Sequence, residues 1–397
     1  MQQSELTRRA FLAVSTTTVL SACTTTRVNT AKVVPGKISP NEKLNIATVG
    51  MGMMGRGNTR RCSMENIVAF SDVDFSNVEN SFEQYPNAQR FTDYRVMLDT
   101  MAKDIDAVIV ATPDHTHAVV SMAAIAHGKH LYCQKPLAHN LHEVRTVTEA
   151  ARIAGVQTQM GNQGHSSNPI RLVKEWVEDG AIGKVRKIHA WSNRPVGGSE
   201  SSTFPIIARP QDTPPIPETL NWDLWLGPAP QRPYHPAYHP RTWRGFYDFG
   251  TGALGDMGCH ILDPSFWALD LKHPDWVQAS TTHTRDGASL ECYPRASLVH
   301  YHFPKGEKHG AIDLHWYDGG LKPTIPDGLP ENFELGGNGA FIVGDKGVIF
   351  HSSHGAGGAV LLPESRRAQY TDPKPYLPRV DQSDNAHEAD WIRACKD

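Results

Sequence analysis

The sequence has no large excess of either charge and no long apolar run after its first residues. Its 39 Lys and Arg residues against 42 Asp and Glu residues give a formal net charge of −3. This balance provides no basic field, which argues against a nucleic acid or an anionic membrane surface as partner. No segment after residue 23 has the length and apolarity of a membrane span, and no internal repeat is present. These absences leave a globular chain whose 397 residues predict two domains.

Cysteine is also scarce, with six residues in the whole chain. The five beyond the N-terminal region form no C-x-x-C pair, and they are Cys62, Cys133, Cys259, Cys292 and Cys395. A large core needs no disulfides for its stability, so unpaired buried thiols are expected. A disulfide between Cys259 and Cys292 stays open as an alternative for an oxidising compartment.

The first 23 residues have the pattern of an export signal. Arg8 and Arg9 precede an apolar stretch over residues 10–22 that is too short and too rich in Ser and Thr to span a bilayer. The pair predicts twin-arginine export to a bacterial periplasm, the alternative being a disordered cytosolic tail. Cys23 follows Leu-Ser-Ala as in a bacterial lipobox, so it could carry a lipid anchor. Residues 24–43 would then be the linker.

Short apolar runs alternate with helical patterns in the next part of the chain. The runs are continuous, as in parallel strands that are buried on both faces, and they cover residues 44–49, 67–71, 107–111, 130–133 and 156–160. Helical patterns cover residues 118–127 and 143–154, and Gly128 and Gly155 are placed to end them. This alternation predicts an α/β fold, a Rossmann domain with a doubly wound parallel sheet over residues 44–161.

The pattern changes after residue 161. A helix is predicted from Asn168, as N-cap before Pro169, to Asp179, and strands are predicted over residues 184–192, 296–303, 310–317 and 340–350. Because no βαβ alternation accompanies them, residues 162–397 should form an α+β domain with a mostly antiparallel, open-faced sheet. A last helix over residues 387–396 meets the end of the chain without a capping glycine, which suggests a truncated sequence.

A glycine motif follows the first predicted strand. Gly50-Met51-Gly52-Met53-Met54-Gly55 fits G-x-G-x-x-G, in which the glycines allow a tight turn, a close approach to a pyrophosphate and close packing of helix on strand. Asp72 lies 22 residues after Gly50, at the end of the second strand, where a carboxylate can bind the ribose hydroxyls. The combination predicts NAD as cofactor, while Arg56 and Asp74 leave room for NADP.

Two further strand ends carry polar residues. Thr112-Pro113-Asp114-His115-Thr116-His117 follows the third run, at the edge where open α/β sheets bind ligands. His115 and His117 lack partners with metal-ligand spacing, so contact with ribose and nicotinamide is favoured over a metal site. Gln134-Lys135-Pro136 follows the next run, and Lys135 would point towards the nicotinamide and the substrate oxygen or be merely solvated.

A carboxylate and a histidine share a predicted helix in the second half. Asp256 and His260 lie four residues apart in Gly255-Asp256-Met257-Gly258-Cys259-His260-Ile261-Leu262-Asp263, so they share a helical face. A histidine beside a carboxylate can accept a proton, although a structural Asp–His pair would look the same.

Taken together, these motifs resemble the Gfo/Idh/MocA oxidoreductase family, in its secreted, twin-arginine-exported branch. The resemblance covers about residues 44–395 and implies that Lys135 hydrogen-bonds the reacting hydroxyl and that His260 accepts its proton, with Asp256 alongside. The family's motif is Glu-Lys-Pro, so Gln134 removes a charge beside Lys135. The family chain also runs on past this end, and it forms dimers or tetramers through the open sheet, which implies a homo-oligomer here.

The resemblance and the composition of residues 194–244 together predict a carbohydrate substrate. Aromatic rings stack on sugar faces and Arg side chains bind hydroxyls, which makes Tyr234 and Arg244 candidate substrate contacts beside Asp256 and His260. The alternative is a proline-rich cover with core tryptophans. The candidate cofactor contacts are Gly50, Gly52, Met53, Met54, Gly55, Asp72, Thr112, Pro113, His117, Gln134, Lys135 and Gln163.

The predicted activity is hydride transfer between a sugar hydroxyl and a tightly bound nicotinamide cofactor, with no metal. Two other functions stay open. One is a redox-neutral, NAD-dependent glycosidase that works through a 3-keto intermediate. The other is a sugar- or NAD-binding lipoprotein without turnover.

Overall fold

The computed structural model describes residues 39, 41–195, 208–240, 242–282, 290–352, 354–381 and 383–397. The predicted export signal, with Cys23, and nearly all of the predicted linker lie outside the described residues. Within these ranges no helix combines the length and the apolarity that crossing a membrane requires. No disulfide links the described cysteines.

The first domain is built on six parallel strands. They are β1 (Asn45–Val49), β2 (Asn66–Ser71), β3 (Gln89–Phe91), β4 (Ala107–Val110), β5 (His130–Cys133) and β6 (Thr158–Met160). The helices are α1 (Met53–Arg61), α2 (Glu79–Gln84), α3 (Tyr94–Thr100), α4 (Asp114–Ala126) and α5 (Leu141–Ala154). The strand order β3-β2-β1-β4-β5-β6 is that of a dinucleotide-binding Rossmann sheet, so the predicted fold class is confirmed for this half.

The continuous apolar strands of this sheet supply two cores, one on each face. In β4, Val108 and Val110 pack into the core under α4 and α5, whereas Ala107 and Ile109 pack into the core on the opposite face. All four side chains are fully buried. Such a strand has no polar side, which is why its sequence shows no alternation.

The second domain carries a seven-stranded sheet. Its strands are β7 (Val185–Ser192), β8 (Trp276–Thr281), β9 (Ser297–Phe303), β10 (Ile312–Tyr317), β11 (Asn338–Gly344), β12 (Val348–His351) and β13 (Val360–Leu362). The helices are α6 (Asn168–Glu178), α7 (Trp222–Leu226), α8 (Gly252–Ile261), α9 (Asp263–Leu269), α10 (Glu364–Gln369) and α11 (Ala386–Lys396). The strand order is β13-β12-β11-β7-β10-β9-β8, and only the pair β7–β10 is parallel. The prediction of a mostly antiparallel sheet is therefore confirmed.

Three local features of the second domain differ from the prediction. The run over residues 340–350 is not one strand but a hairpin, in which Gly344 N–H donates to the Gly347 carbonyl at 2.9 Å. The edge strand β8 was not predicted, because every residue of it is exposed and none carries a burial signal. At the start of α6, Ser167 takes the N-cap position that was assigned to Asn168.

Helices cover one face of the sheet and leave part of the other open. Apolar residues of α6, α8 and α9 pack on the covered face. On the opposite face a loop packs against Trp191 and Phe341. The rest of that face carries stacked imidazole rings from His189, His315 and His300, with centroids 5.3 and 4.0 Å apart. The face opposite the helices is thus covered by the loop near Trp191 and Phe341 and is open where the three imidazole rings stack.

The last helix returns to the first domain. Trp391, Ile392 and Cys395 of α11 are buried against Ile46 and Ile109 of the Rossmann sheet. This segment therefore completes the core of the first domain, although it follows the second domain in the sequence.

Candidate active site

A groove runs along the carboxyl ends of the parallel strands, where a doubly wound sheet binds its ligands. Residues from the second domain, among them Trp225, His239, Trp243 and Arg244, form its opposite wall. Eleven of the predicted site residues line it: Gly50, Gly52, Met53, Met54, Asp72, Thr112, Pro113, His117, Gln134, Lys135 and Arg244.

The three motif glycines have different surroundings. Gly50 has a φ of +86°, and a Cβ there would lie 2.7 Å from the Ala111 carbonyl oxygen, so the turn tolerates no side chain. At Gly55 a Cβ would lie 1.8 Å from the Gly50 carbonyl oxygen. A Cβ on Gly52 would meet no protein atom within 4 Å. Gly52 is the residue before α1 and faces open space, which suits the close approach of an anion to a helix N-terminus.

Asp72 connects this loop to the end of β2. One of its carboxylate oxygens accepts the Met51 N–H at 2.6 Å, and the other accepts the Asp74 N–H at 3.0 Å. Burial raises the pKa of Asp72, although these two hydrogen bonds oppose the shift. The neighbouring Asp74 contacts His239 Nε2 at 3.0 Å, which joins this corner of the groove to its opposite wall.

The two histidines of the β4 edge are held by backbone carbonyl groups. His115 Nε2 and Nδ1 lie 3.0 and 3.3 Å from the carbonyl oxygens of Trp225 and Phe249, and its ring does not line the groove. His117 does line it, and its Nδ1 and Nε2 lie 2.7 and 2.8 Å from the carbonyl oxygens of Pro136 and Thr112. Only a doubly protonated imidazole can donate to two carbonyl oxygens, so His117, whose pKa is raised, donates to both, whereas the neutral His115 can donate to one. His117 therefore holds the ends of β4 and β5 together.

Lys135 and Asp256 meet at the centre of the site, as part of a buried charge cluster. Lys135 Nζ lies 2.6 Å from Asp256 Oδ1 and 2.9 Å from the Asp256 carbonyl oxygen. Arg194 Nη1 and Arg244 Nε lie 3.2 and 3.3 Å from the same carboxylate. Burial would raise the pKa of Asp256, but the surrounding cations outweigh it and hold the pKa well below its usual range. Asp256 is therefore ionised and holds Lys135 in place.

His260 lies one turn after Asp256 on α8 and is 4% exposed. Burial, followed by the charge of Lys135, lowers the pKa of His260 far below its usual value, so the ring is neutral near neutral pH. Among the described residues, its Nδ1 has no hydrogen-bond partner. The ring packs edge-on against His354, with centroids 4.1 Å apart.

His354 and His165 are site residues that the sequence did not reveal. His354 lies in a turn between β12 and β13, nearly a hundred residues from His260, and no local motif marks it. His165 Nδ1 contacts Asp263 Oδ2 at 2.9 Å, and Asn162 donates to the same carboxylate. The two turns pack together, since Ser167 Oγ donates to the Gly355 carbonyl at 2.9 Å.

Gln134 takes part in a buried hydrogen-bond chain. Its Nε2 donates to Asn58 Oδ1 at 3.0 Å, and Asn58 Nδ2 donates to Glu388 Oε1 at 2.6 Å. Glu388 belongs to the C-terminal helix α11, and burial raises its pKa. Gln134, which stands where the family motif has Glu, is thus linked through Asn58 to a carboxylate of the C-terminal helix.

Five candidate residues do not line the groove, and they are Gly55, Gln163, Tyr234, Asp256 and His260. Gln163 is exposed in the turn before α6 and does not line the groove. Tyr234 is 8% exposed and packs edge-on against Trp222 in an aromatic cluster with Trp225, Tyr238 and Phe249. The aromatic segment thus forms a small core whose Trp225 and Trp243 also line the groove, and of the two substrate candidates in the segment only Arg244 lines it. The described residues contain no group of three or more His, Cys, Asp or Glu side chains that could hold a metal.

A Rossmann sheet with a glycine loop at its ligand edge, facing a lysine, a carboxylate and a histidine, is typical of nucleotide-dependent oxidoreductases. The chain belongs to the Gfo/Idh/MocA family. The family model described as an oxidoreductase NAD-binding Rossmann fold matches residues 44–162, and the model of its C-terminal alpha/beta domain matches residues 168–296. The predicted family and the NAD-binding domain are confirmed.

The chain is similar to several characterised dehydrogenases. Inositol 2-dehydrogenase of Burkholderia multivorans is 31% identical over 161 residues, which are 39% of this chain and 47% of that protein. Levoglucosan dehydrogenase of Pseudarthrobacter phenanthrenivorans is 24% identical over 240 residues, 56% of this chain and 50% of that protein. The chain thus spans about half the length of the curated relatives it matches. A structure of levoglucosan dehydrogenase with NADH and L-sorbose matches with a TM-score of 0.57 and 17% identity, over 89% of this chain and 90% of that one, which shows the shared fold.

Proposed function

We propose that this protein is an NAD-dependent dehydrogenase that acts on a hydroxyl group of a sugar or sugar derivative. The observation that carries the proposal is the contact of Lys135 with Asp256 at 2.6 Å beside the dinucleotide groove, with His260 one turn further along the same helix. The similarity to inositol and levoglucosan dehydrogenases supports a polyhydroxylated substrate.

The residues of the groove fit a dinucleotide. Gly52 leaves open space before the N-terminus of α1 for the pyrophosphate, and Asp72 lies at the end of β2 for the ribose hydroxyls. Thr112 Oγ1 is buried in the groove wall without a hydrogen-bond partner among the described residues, and a bound ligand could satisfy it. When bound, the nicotinamide ring supplies the acceptor for the hydride that leaves the carbinol carbon.

The protein's own residues would handle the proton and the developing charge. Lys135 Nζ, held by Asp256, would donate to the substrate oxygen and stabilise its negative charge. His260 is neutral and would accept the hydroxyl proton, a transfer that the burial and the Lys135 charge that lower its pKa oppose. Nε2 would be the accepting atom, because Nδ1 is buried.

The test is oxidation of a panel of inositols, anhydrosugars and methyl glycosides, followed by NADH absorbance. Lys135→Met should lower kcat about 100-fold or more while NADH still binds, since a positioned acid–base group contributes roughly that much. Lys103→Met, at an exposed position outside the groove, is the matched control. Full activity of Lys135→Met would contradict the proposed role. Release of nitrophenol from nitrophenyl glycosides without NADH accumulation would instead favour the redox-neutral glycosidase.

We also propose that the protein is exported by the twin-arginine route and anchored through Cys23, on the strength of the sequence alone. Replacing both Arg8 and Arg9 by Lys should leave the protein in the cytoplasmic fraction. Cys23→Ala should release it from the membrane fraction into the periplasm. Unchanged fractionation of either variant would contradict the corresponding half of the proposal.

A further inference from the structure

The centre of the site carries more positive than negative charge among the described residues. Three cationic side chains, Lys135, Arg194 and Arg244, contact the single carboxylate of Asp256. The neighbouring histidines respond to this charge, because Lys135 contributes to the lowered pKa of both His260 and His354. Lys135 alone would be enough to donate a hydrogen bond to a neutral hydroxyl, so the two arginines need a separate explanation.

Arg244 is the cation that is best placed to meet a ligand. It lines the groove, and 27% of its side chain is exposed. Its Nε contacts Asp256, and its guanidinium lies 4.2 Å from the centroid of the Trp243 ring. This stacking fixes the plane of the guanidinium. Among the described residues, its two terminal amino groups have no hydrogen-bond partner.

The nearby acidic side chains are bonded elsewhere. Asp263 contacts His165 and Asn162, and Asp114 Oδ2 accepts the hydroxyl of Thr251 at 2.6 Å, whereas Asp114 Oδ1 is buried without a hydrogen-bond partner among the described residues. Neither makes an ion pair with Arg244 within the described part of the chain. A planar guanidinium in a groove lining, with its Nε on Asp256 and its two amino groups without a partner among the described residues, matches the two oxygens of a carboxylate.

We propose that the sugar substrate of this site carries a carboxylate, as in a uronic acid, which Arg244 binds through its two terminal amino groups. The inference rests on the proposed function and names its substrate class. The carboxylate lies on the same molecule as the hydroxyl that meets Lys135 and His260, and Arg244 would thereby orient that hydroxyl. A neutral sugar of the same shape leaves Arg244 without its partner and binds more weakly.

The experiment compares two ligands that differ only in the carboxylate. Methyl glucuronide and methyl glucoside, and the corresponding galactose pair, are titrated by calorimetry into the full-length protein loaded with NADH. The acid of at least one pair should bind about 10- to 100-fold more tightly, the range expected for hydrogen bonds to a charged group. Arg244→Gln should remove this preference by weakening only the acid, and Arg244→Lys should keep part of it, because it keeps the charge and loses the planar pair of donors.

Two controls separate this proposal from its alternatives. Arg152→Gln, the same change on an exposed face of α5, should leave the preference intact. NADH affinity, measured by fluorescence, should be equal in wild type and Arg244→Gln; a loss there would assign Arg244 to the cofactor and overturn the proposal. Equal binding of acid and neutral sugar, tighter binding of a sugar phosphate, or no binding of any acid tested would also overturn it. A carboxylate preference without any turnover would instead refute the proposed dehydrogenase activity while leaving this inference intact.

Discussion

At the residue scale, the glycines of one motif have separable roles. Gly50 is required by the backbone itself, because its φ is positive and the Ala111 carbonyl lies where a Cβ would be. Gly52 has an ordinary φ of −59° and free space around it, so the folded protein does not need it. The absence of a side chain at Gly52 is therefore expected to matter only when a ligand occupies that space.

This difference predicts opposite results for two alanine variants. Gly50→Ala should lower the free energy of unfolding by about 1–3 kcal/mol, since it forces a non-glycine residue into a strained conformation. Gly52→Ala should change it by less than about 0.5 kcal/mol and should weaken NADH binding about 10-fold or more, because 1.4 kcal/mol of lost contact corresponds to that factor. Thermal unfolding and NADH fluorescence titration measure the two effects. Wild-type NADH affinity in Gly52→Ala would show that no phosphate approaches this residue.

Single residues also show where composition misleads. Tyr234 and the surrounding tryptophans have the composition of a sugar-binding surface, yet the structure packs them on one another. Aromatic rings supply large apolar areas for a core as readily as stacking faces for a ligand, and composition does not distinguish the two uses. Arg244 differs because its charged group remains in the groove.

At the element scale, the buried chain from Gln134 through Asn58 to Glu388 joins β5, α1 and the C-terminal helix. The two amide groups donate in the same direction, Gln134 to Asn58 and Asn58 to Glu388, and Glu388 only accepts. Gln134→Glu, which creates the family's Glu-Lys-Pro motif, removes the first donor. Asn58 can turn its amide towards the new carboxylate, but its oxygen then faces Glu388. Two buried carboxylates then compete for one amide group.

We predict that substitutions of Gln134 and Glu388, at the two ends of this hydrogen-bond chain, have strongly coupled effects on the free energy of unfolding. Gln134→Glu alone should cost about 2–4 kcal/mol of stability, because it leaves a buried charge without a donor. Adding Glu388→Gln should recover much of this loss, since the new amide can donate in the reverse direction. Urea unfolding of the wild type, both single variants and the double variant gives the coupling energy. Additive effects would show that the three side chains do not act as one network.

The sequence predicted elements well where a local pattern reflects burial. Strands β1, β4 and β5 are continuous apolar runs because both of their faces are covered, and Gly155 ends α5 with a φ of +69° as predicted. Lys135 and Asp256 could be assigned to one site because short motifs and a family resemblance marked them. The exposed strand β8 carries no such pattern.

Contacts between distant segments could not be predicted in the same way. His354 meets His260, and Glu388 meets Asn58, across long stretches of chain, and the pairings depend on how the two sheets and the last helix pack. A single sequence has no periodicity at such separations. Gln134 did indicate that a charge was missing beside Lys135, but not that Gln134 is linked through Asn58 to Glu388.

At the scale of the whole molecule, buried histidines give the stability a defined pH dependence. Burial lowers the pKa of His115 and of His189 to about 4, so these rings stay neutral in the folded protein at pH 5. Burial alone would also lower the pKa of His117, but Cys133, Asp114 and the Pro136 carbonyl outweigh it and raise the pKa to about 9. The unfolded chain titrates near 6.5 in each case.

The two kinds of shift act on opposite sides of pH 6.5. Below it the unfolded chain binds protons that His115 and His189 refuse in the folded state, so stability falls with pH by about 2 kcal/mol for each ring at pH 5. Above it the folded state still binds the His117 proton, which the unfolded chain has lost, so the stabilisation from that ring falls as pH rises to about 9. The contribution of these three rings to stability should therefore be highest near pH 6.5.

Each single variant should remove the contribution of its own histidine to the fall in stability on one side of pH 6.5. In urea unfolding followed by tryptophan fluorescence, His115→Gln should lose less stability than the wild type between pH 7 and pH 5, by about 2 kcal/mol. His117→Gln should be much less stable than the wild type near pH 6, and the difference should shrink towards pH 9. The exposed His142→Gln should follow the wild-type curve throughout. Parallel curves for all four proteins would mean that the rings titrate alike in the folded and unfolded states. The hydrogen bonds by which His117 holds the ends of β4 and β5 together would then not depend on its charge.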